Sequence, residues 1–159
     1  MSVVIASIEI GASIQEVWDY VMDPAHMGEW VTILERVDYA DPPPIRPQYR
    51  MDQTLRLRGV PFKVHWRLKY IQEPTYARWE GAGPAGSKAV IEDRLSARDG
   101  KTCFDYQNEF RTPLGPFGAA ASKVIVGGIP EKEANASLRR LKKILEKGHP
   151  DRTSDRPMG

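Results

Sequence analysis

A chain of 159 residues is long enough for one domain, which at this size buries roughly 68–70% of its unfolded surface. Its 41% hydrophobic and 28% charged residues are those of a globular protein, and a net charge of +2 argues against wholesale binding of nucleic acid or an anionic membrane. A single cysteine, Cys103, rules out an internal disulfide, and the chain has neither an apolar run of about 18 residues nor a basic-then-apolar leader; a cytoplasmic protein with no membrane insertion is expected.

The first forty residues read strand, helix, turn, helix, strand. Val3–Ile10 alternates Val4, Ala6, Ile8 and Ile10 against a mixed face, the period of a half-buried strand. Ser13-Ile14-Gln15-Glu16 is a capping box that opens a helix over Ser13–Met22. Asp23-Pro24 ends it and starts a short second helix, Ala25–Glu29, followed by Trp30 and a strand over Ile33–Tyr39. Pro42-Pro43-Pro44 with Pro47 is a stiff connection and not a domain boundary, because too little chain precedes it.

From Tyr49 the texture is that of strands. Met51, Gln53, Leu55 and Leu57 alternate with Arg50, Asp52, Thr54, Arg56 and Arg58. Phe62, Val64, Trp66, Leu68 and Tyr70 then alternate with Lys63, His65, Arg67 and Lys69, which predicts an antiparallel sheet with one dry and one basic face. After a shorter strand, Tyr76–Gly81, and a Gly-rich turn, Lys88–Ala97 and Lys101–Arg111 form a hairpin about Asp99-Gly100. Its inward set is Ile91, Asp93 and Leu95 facing Thr102, Phe104, Tyr106, Asn108 and Phe110. The last region is helical, from Pro116 through Ala119–Val126 and on to Lys147, interrupted at Gly127-Gly128-Ile129-Pro130. Ala134, Leu138, Leu141 and Leu145 share one stripe, and the basic residues off it suit a solvated face near a helix C-terminus. The expectation is an α+β domain over 1–147 with a polar, disordered tail over 148–159.

The order of elements, with Ile8-Glu9-Ile10, Ser13–Trp18, Asp23-Pro24, Trp30, Asp99–Thr102 and Leu138–Lys142, resembles the START-like, or SRPBCC, superfamily, in particular its polyketide cyclase/dehydratase-like branch. The resemblance covers about residues 3–147 and implies the helix-grip architecture. In it a curved seven-stranded antiparallel sheet and two short helices hold a long C-terminal helix over a cavity for an apolar ligand. The Gly127–Pro130 break falls in that helix, either as a kink that follows the sheet or as a hinge for ligand entry.

Candidate chemistry rests on polar residues of inward parity. Asp93 is an acid or base for a carbonyl substrate, unless it is an ordinary buried salt bridge or hydrogen bond, or the parity slips by one residue. Tyr106 and Asn108 stand on the next strand and can hydrogen-bond a carbonyl oxygen. Ligand contacts are expected from Trp30, Gln53, Trp66, Tyr70, Trp79, Phe104 and Phe110, mostly aromatic positions that serve equally well in an ordinary core. His26, His65 and His149 are too scattered for a metal site, and no cofactor motif is present. Three functions follow: a carrier or sensor of a hydrophobic small molecule, a cofactor-independent cyclase or dehydratase, and a protein-interaction module using the basic outer sheet face. The sequence leaves room for a homodimer.

Overall fold

The computed structural model describes residues 2–111 and 130–147. Strand β1 (Ser2–Ile10) leads into helix α1 (Ile14–Val21) and helix α2 (Pro24–Trp30). Strands β2 (Leu34–Ala40), β3 (Arg50–Leu57), β4 (Val60–Gln72), β5 (Tyr76–Ala82), β6 (Lys88–Arg98) and β7 (Lys101–Arg111) follow, and helix α3 (Glu131–Lys147) closes the fold. The sheet is seven-stranded, in the order β1-β7-β6-β5-β4-β3-β2. Every neighbouring pair is antiparallel. The first strand therefore pairs with the last, which brings both ends of the sheet's sequence to one edge.

Local chemistry accounts for the punctuation. The Ser13 hydroxyl accepts from the Glu16 amide at 3.2 Å, satisfying one of the open donors of α1. Asp23 caps α2 by accepting from the Ala25 amide at 2.9 Å, and Pro24 occupies the first turn, where no amide hydrogen is needed. At the β6–β7 turn Asp99 and Gly100 have φ of 51° and 79°, the paired left-handed conformation that keeps a two-residue hairpin in step with strand twist.

The core lies between the inner sheet face and the helices. Ala134, Leu138, Leu141 and Leu145 of α3 are buried, as the sequence pattern predicts, and Ser137 is buried with them. Two polar ties hold α3 in place. Near its start, Ser137 Oγ accepts from the Thr32 amide at 3.0 Å and the Glu133 carboxylate accepts from the Thr32 hydroxyl at 2.6 Å. Near its end, Glu146 accepts from the Gly11 amide at 2.7 Å, and Lys142 Nζ donates to the Glu9 carbonyl at 2.7 Å. The predicted helix over Ala119–Val126, the Gly127–Ile129 part of its break, and the tail 148–159 lie outside the described residues.

Strand parity departs from the alternation where register slips, between Leu34 and Arg36 and between Val37 and Tyr39 against β3, and in β4. A β-bulge between Leu68 and Tyr70 shifts the β4–β5 register. Tyr70 is consequently turned to the outer face, 58% exposed, with its ring against Tyr76 at 5.9 Å between centroids. Its expected place among the cavity residues is thereby corrected: an extra residue in a strand reverses the parity of all that follow it, and no rule of alternation reveals where one is inserted.

Candidate functional site

A cavity of about 90 Å³ lies between the inner sheet face, the α2–β2 turn and the first half of α3. Its walls are mostly apolar: Met27, Trp30, Ile33, Met51, Leu55, Trp66, Trp79, Ile91 and Leu138. The polar lining consists of Thr32, Gln53, Asp93, Tyr106, Glu133 and Ser137. Space of this size admits several waters or a small ring, so a larger ligand enters only if a wall gives.

Asp93 is the exceptional group. It is 5% exposed, and among the described residues nothing hydrogen-bonds or ion-pairs with it. Burial alone pushes its carboxyl up to about 7. The sheet register explains the position: Asp93 stands opposite Ala77 on β5 and opposite Tyr106 on β7. Ala77 has too little side chain to reach it. Tyr106 shares its face, and burial, helped by the nearby Asp93 charge, raises the phenol further above its ordinary range; the hydrogen bond from Asn108 works the other way. In that hydrogen bond Asn108 Nδ2 donates to Tyr106 Oη at 3.0 Å. The Tyr106 hydroxyl hydrogen therefore remains available to a ligand oxygen.

The opposite wall is arranged around Trp66. Its indole N–H donates to Gln53 Oε1 at 2.9 Å, while Gln53 Nε2 has only the thioether sulfurs of Met27 and Met51 at 3.4 and 3.6 Å. Trp66 pairs with Gly81 on β5, and a Cβ at Gly81 would lie 2.6 Å from the Trp66 ring; the glycine makes room for the indole. Trp30 closes the third side. Its Nε1 is buried and has no hydrogen-bond partner among the described residues, and its ring meets Phe104 edge-on at 6.3 Å.

Six of the residues singled out in the sequence thus line one space: Trp30, Gln53, Trp66, Trp79, Asp93 and Tyr106. Asn108 stands behind Tyr106, and Phe104 is wholly buried core against Trp30. Phe110 is half-buried at the far end of β7, opposite Ser2 and Ala89, and does not line the cavity. Thr32, Glu133 and Ser137 were not anticipated. The spacing of Glu133 and Ser137 puts them on the helix face of Ala134 and Leu138, a signal that the apolar stripe concealed.

Other charged groups are placed away from this space. His26 stacks on Tyr20 at 4.4 Å and contacts Glu29 at 2.7 Å, and the Tyr20 hydroxyl donates to that same carboxylate. The outer face carries Lys63, His65, Arg67 and Lys69 in exposed positions, interleaved with acids; His65 meets Asp52 at 2.9 Å. No helix among the described residues is long and apolar enough to cross a membrane.

A curved antiparallel sheet holding a C-terminal helix over an apolar cavity defines a helix-grip protein, a fold that binds small molecules. The chain belongs to the polyketide cyclase / dehydrase and lipid transport family, whose model matches residues 1–146. A Mycobacterium tuberculosis protein described as uncharacterized is 25% identical over 130 residues, covering 78% of this chain and 91% of the relative. Among solved structures, a Thermus thermophilus protein superposes with a TM-score of 0.71 at 13% identity, covering 92% of this chain and 99% of its own. DynU16, from the dynemicin biosynthetic locus, gives a TM-score of 0.64 at 14% identity over 94% of this chain and 49% of its own. At such identities the structural likeness is one of fold.

Proposed function

We propose that this protein binds a small, mostly apolar molecule between the inner sheet face and α3. The observation that carries this reading is an apolar cavity into which a buried carboxyl, unpaired among the described residues, is built. Leaving such a group without a partner costs the fold on the order of a few kcal/mol. The same position could hold an aliphatic residue, so the carboxyl is accounted for by a ligand that it meets. The family's match to cyclases, dehydrases and lipid-transport proteins supports this direction.

The test is native mass spectrometry of the purified protein, with denaturing extraction of anything retained, followed by titration with a naphthalene-type fluorescent probe. Retained ligand or one-to-one probe binding is expected, together with loss of binding on Ala134→Phe, which fills the cavity from α3. An empty protein that ignores the probe would overturn the reading.

A second reading, a cofactor-independent cyclase or dehydratase, is favoured by the pairing of Asp93 with Tyr106. A carboxyl that ionises near neutrality is suited to take a proton from carbon next to a carbonyl. The Tyr106 hydroxyl, braced by Asn108, is suited to donate to the developing enolate oxygen. Deuterium exchange at the α-carbon of a small aryl ketone, followed by proton NMR, distinguishes the two. An enzyme exchanges the proton and loses that ability in Asp93→Asn while ligand affinity persists; a carrier exchanges nothing.

A further inference from the structure

The lining of the cavity is electrically one-sided. Among its described residues the titratable groups are Asp93 on β6, Tyr106 on β7 and Glu133 on α3, and there is no lysine, arginine or histidine. The two acids differ in their situation. Glu133 already accepts from the Thr32 hydroxyl at 2.6 Å, whereas Asp93 has no polar partner among the described residues. Two aromatic residues also stand beside Asp93 in the sheet. Tyr106 stands directly opposite it on β7, and Trp79, opposite Ile91, is its diagonal neighbour on β5, within the roughly 7–8 Å such pairs span. Ala77, opposite Asp93 on β5, is wholly buried and brings no polar group to the carboxylate.

A carboxylate beside tryptophan and tyrosine side chains suits a cation, which it attracts by charge and which aromatic rings also attract. The same lining repels an anion and, among the described residues, offers it no basic residue in compensation. Resting on the binding reading above, we propose that the ligand is an apolar amine: its ammonium group meets Asp93 between Trp79 and Tyr106, and its hydrocarbon part lies against Trp30 and Trp66. Fatty-acid carboxylates and phosphate esters are excluded by the same charges.

The experiment compares three probes that share one ring and differ in charge: phenethylamine, phenethyl alcohol and phenylacetate. Each is titrated into the whole protein by calorimetry at pH 8, where Asp93 is ionised and the amine is protonated. The expected order is amine, then alcohol, then carboxylate, with the amine at least about tenfold tighter than the alcohol, a difference of roughly 1.4 kcal/mol. In Asp93→Asn the amine's advantage over the alcohol should disappear. Should that variant fold poorly, pH supplies an independent readout on the unaltered protein. Affinity for phenethylamine should weaken several-fold from pH 8 to pH 5.5 as Asp93 is protonated, and affinity for the alcohol should stay level. Alcohol or carboxylate binding as tight as amine binding, or an amine preference that survives both tests, overturns the amine assignment and leaves the cavity reading standing. Failure of all three probes, together with failure of the naphthalene probe, removes both.

Discussion

Asp93 ties the stability of this protein to pH in an unusual direction. Its folded carboxyl ionises at about 7, against an ordinary value of 3.8, because burial withholds water from the charged form. The folded protein therefore holds this proton more tightly than the unfolded chain does, and between about pH 4 and pH 7 raising the pH favours unfolding. The slope from this group is at most about 1.4 kcal/mol per pH unit. Urea unfolding at pH 5 and pH 8 should show Asp93→Asn gaining more stability relative to the unaltered protein at pH 8 than at pH 5. An equal difference at both values would mean that Asp93 is ionised and paired throughout. Gly81 is a second position where one atom decides. A Cβ there would lie 2.6 Å from the Trp66 ring and 2.8 Å from Val64 Cγ1. Gly81→Ala should cost about 1–3 kcal/mol and shift the tryptophan emission, since Trp66 must move to admit it; thermal melts with fluorescence detection check both.

Among the elements, α3 is held by packing and by two polar ties, and these separate experimentally. Leu141 is wholly buried, and Leu141→Ala should cost about 2–5 kcal/mol in urea unfolding. Glu146 acts differently. Burial works to raise its carboxyl, but the hydrogen bonds from Lys142 and the Gly11 amide outweigh it and hold the group below the ordinary range. Glu146→Ala should loosen the C-terminal turns of α3 against the β1–α1 turn, seen as faster amide hydrogen exchange there with little change around Ser137. In α1, Ser13→Ala removes the acceptor for the Glu16 amide and should cost about 1 kcal/mol. The β4 strand shows what an element conceals. Trp66 and Leu68 keep the inward parity that its alternation predicts, and Tyr70, after the bulge, does not.

For the molecule as a whole, a ligand that enters only the folded cavity must stabilise it in proportion to its occupancy. At a hundredfold excess over its dissociation constant such a ligand should add about 2.7 kcal/mol, readable as a rise in melting temperature that depends on ligand concentration. A probe that binds without raising the melting temperature would be binding outside the cavity or to unfolded chain. The antiparallel arrangement, which joins β1 to β7 at one edge, also makes the cavity depend on both ends of the chain. Its Asp93 wall comes from the β6–β7 hairpin and its roof from α3, so loosening either tie of α3 should weaken ligand binding as well as stability.

Capping serine, Asp-Pro turn, Asp-Gly hairpin and the alternation of β3 and β4 are local signals, each decided by a few neighbouring residues and their backbone hydrogen bonds. They were enough to lay out the order of elements, to turn Asp93, Tyr106 and Asn108 inward and to put Trp66 on the dry face. What they could not supply was distance across the fold. That Thr32 holds both Glu133 and Ser137, that Trp66 is satisfied by Gln53 while Trp30 has no hydrogen-bond partner among the described residues, and that Asp93 finds only Ala77 and Tyr106 opposite it in the sheet, follow from strand register and helix docking. These are contacts between residues far apart in the chain, formed because burying one shared apolar face is worth more than any local preference. The bulge that exposes Tyr70 belongs with them, since it answers to the pairing of β4 with β5 and not to the composition of either strand.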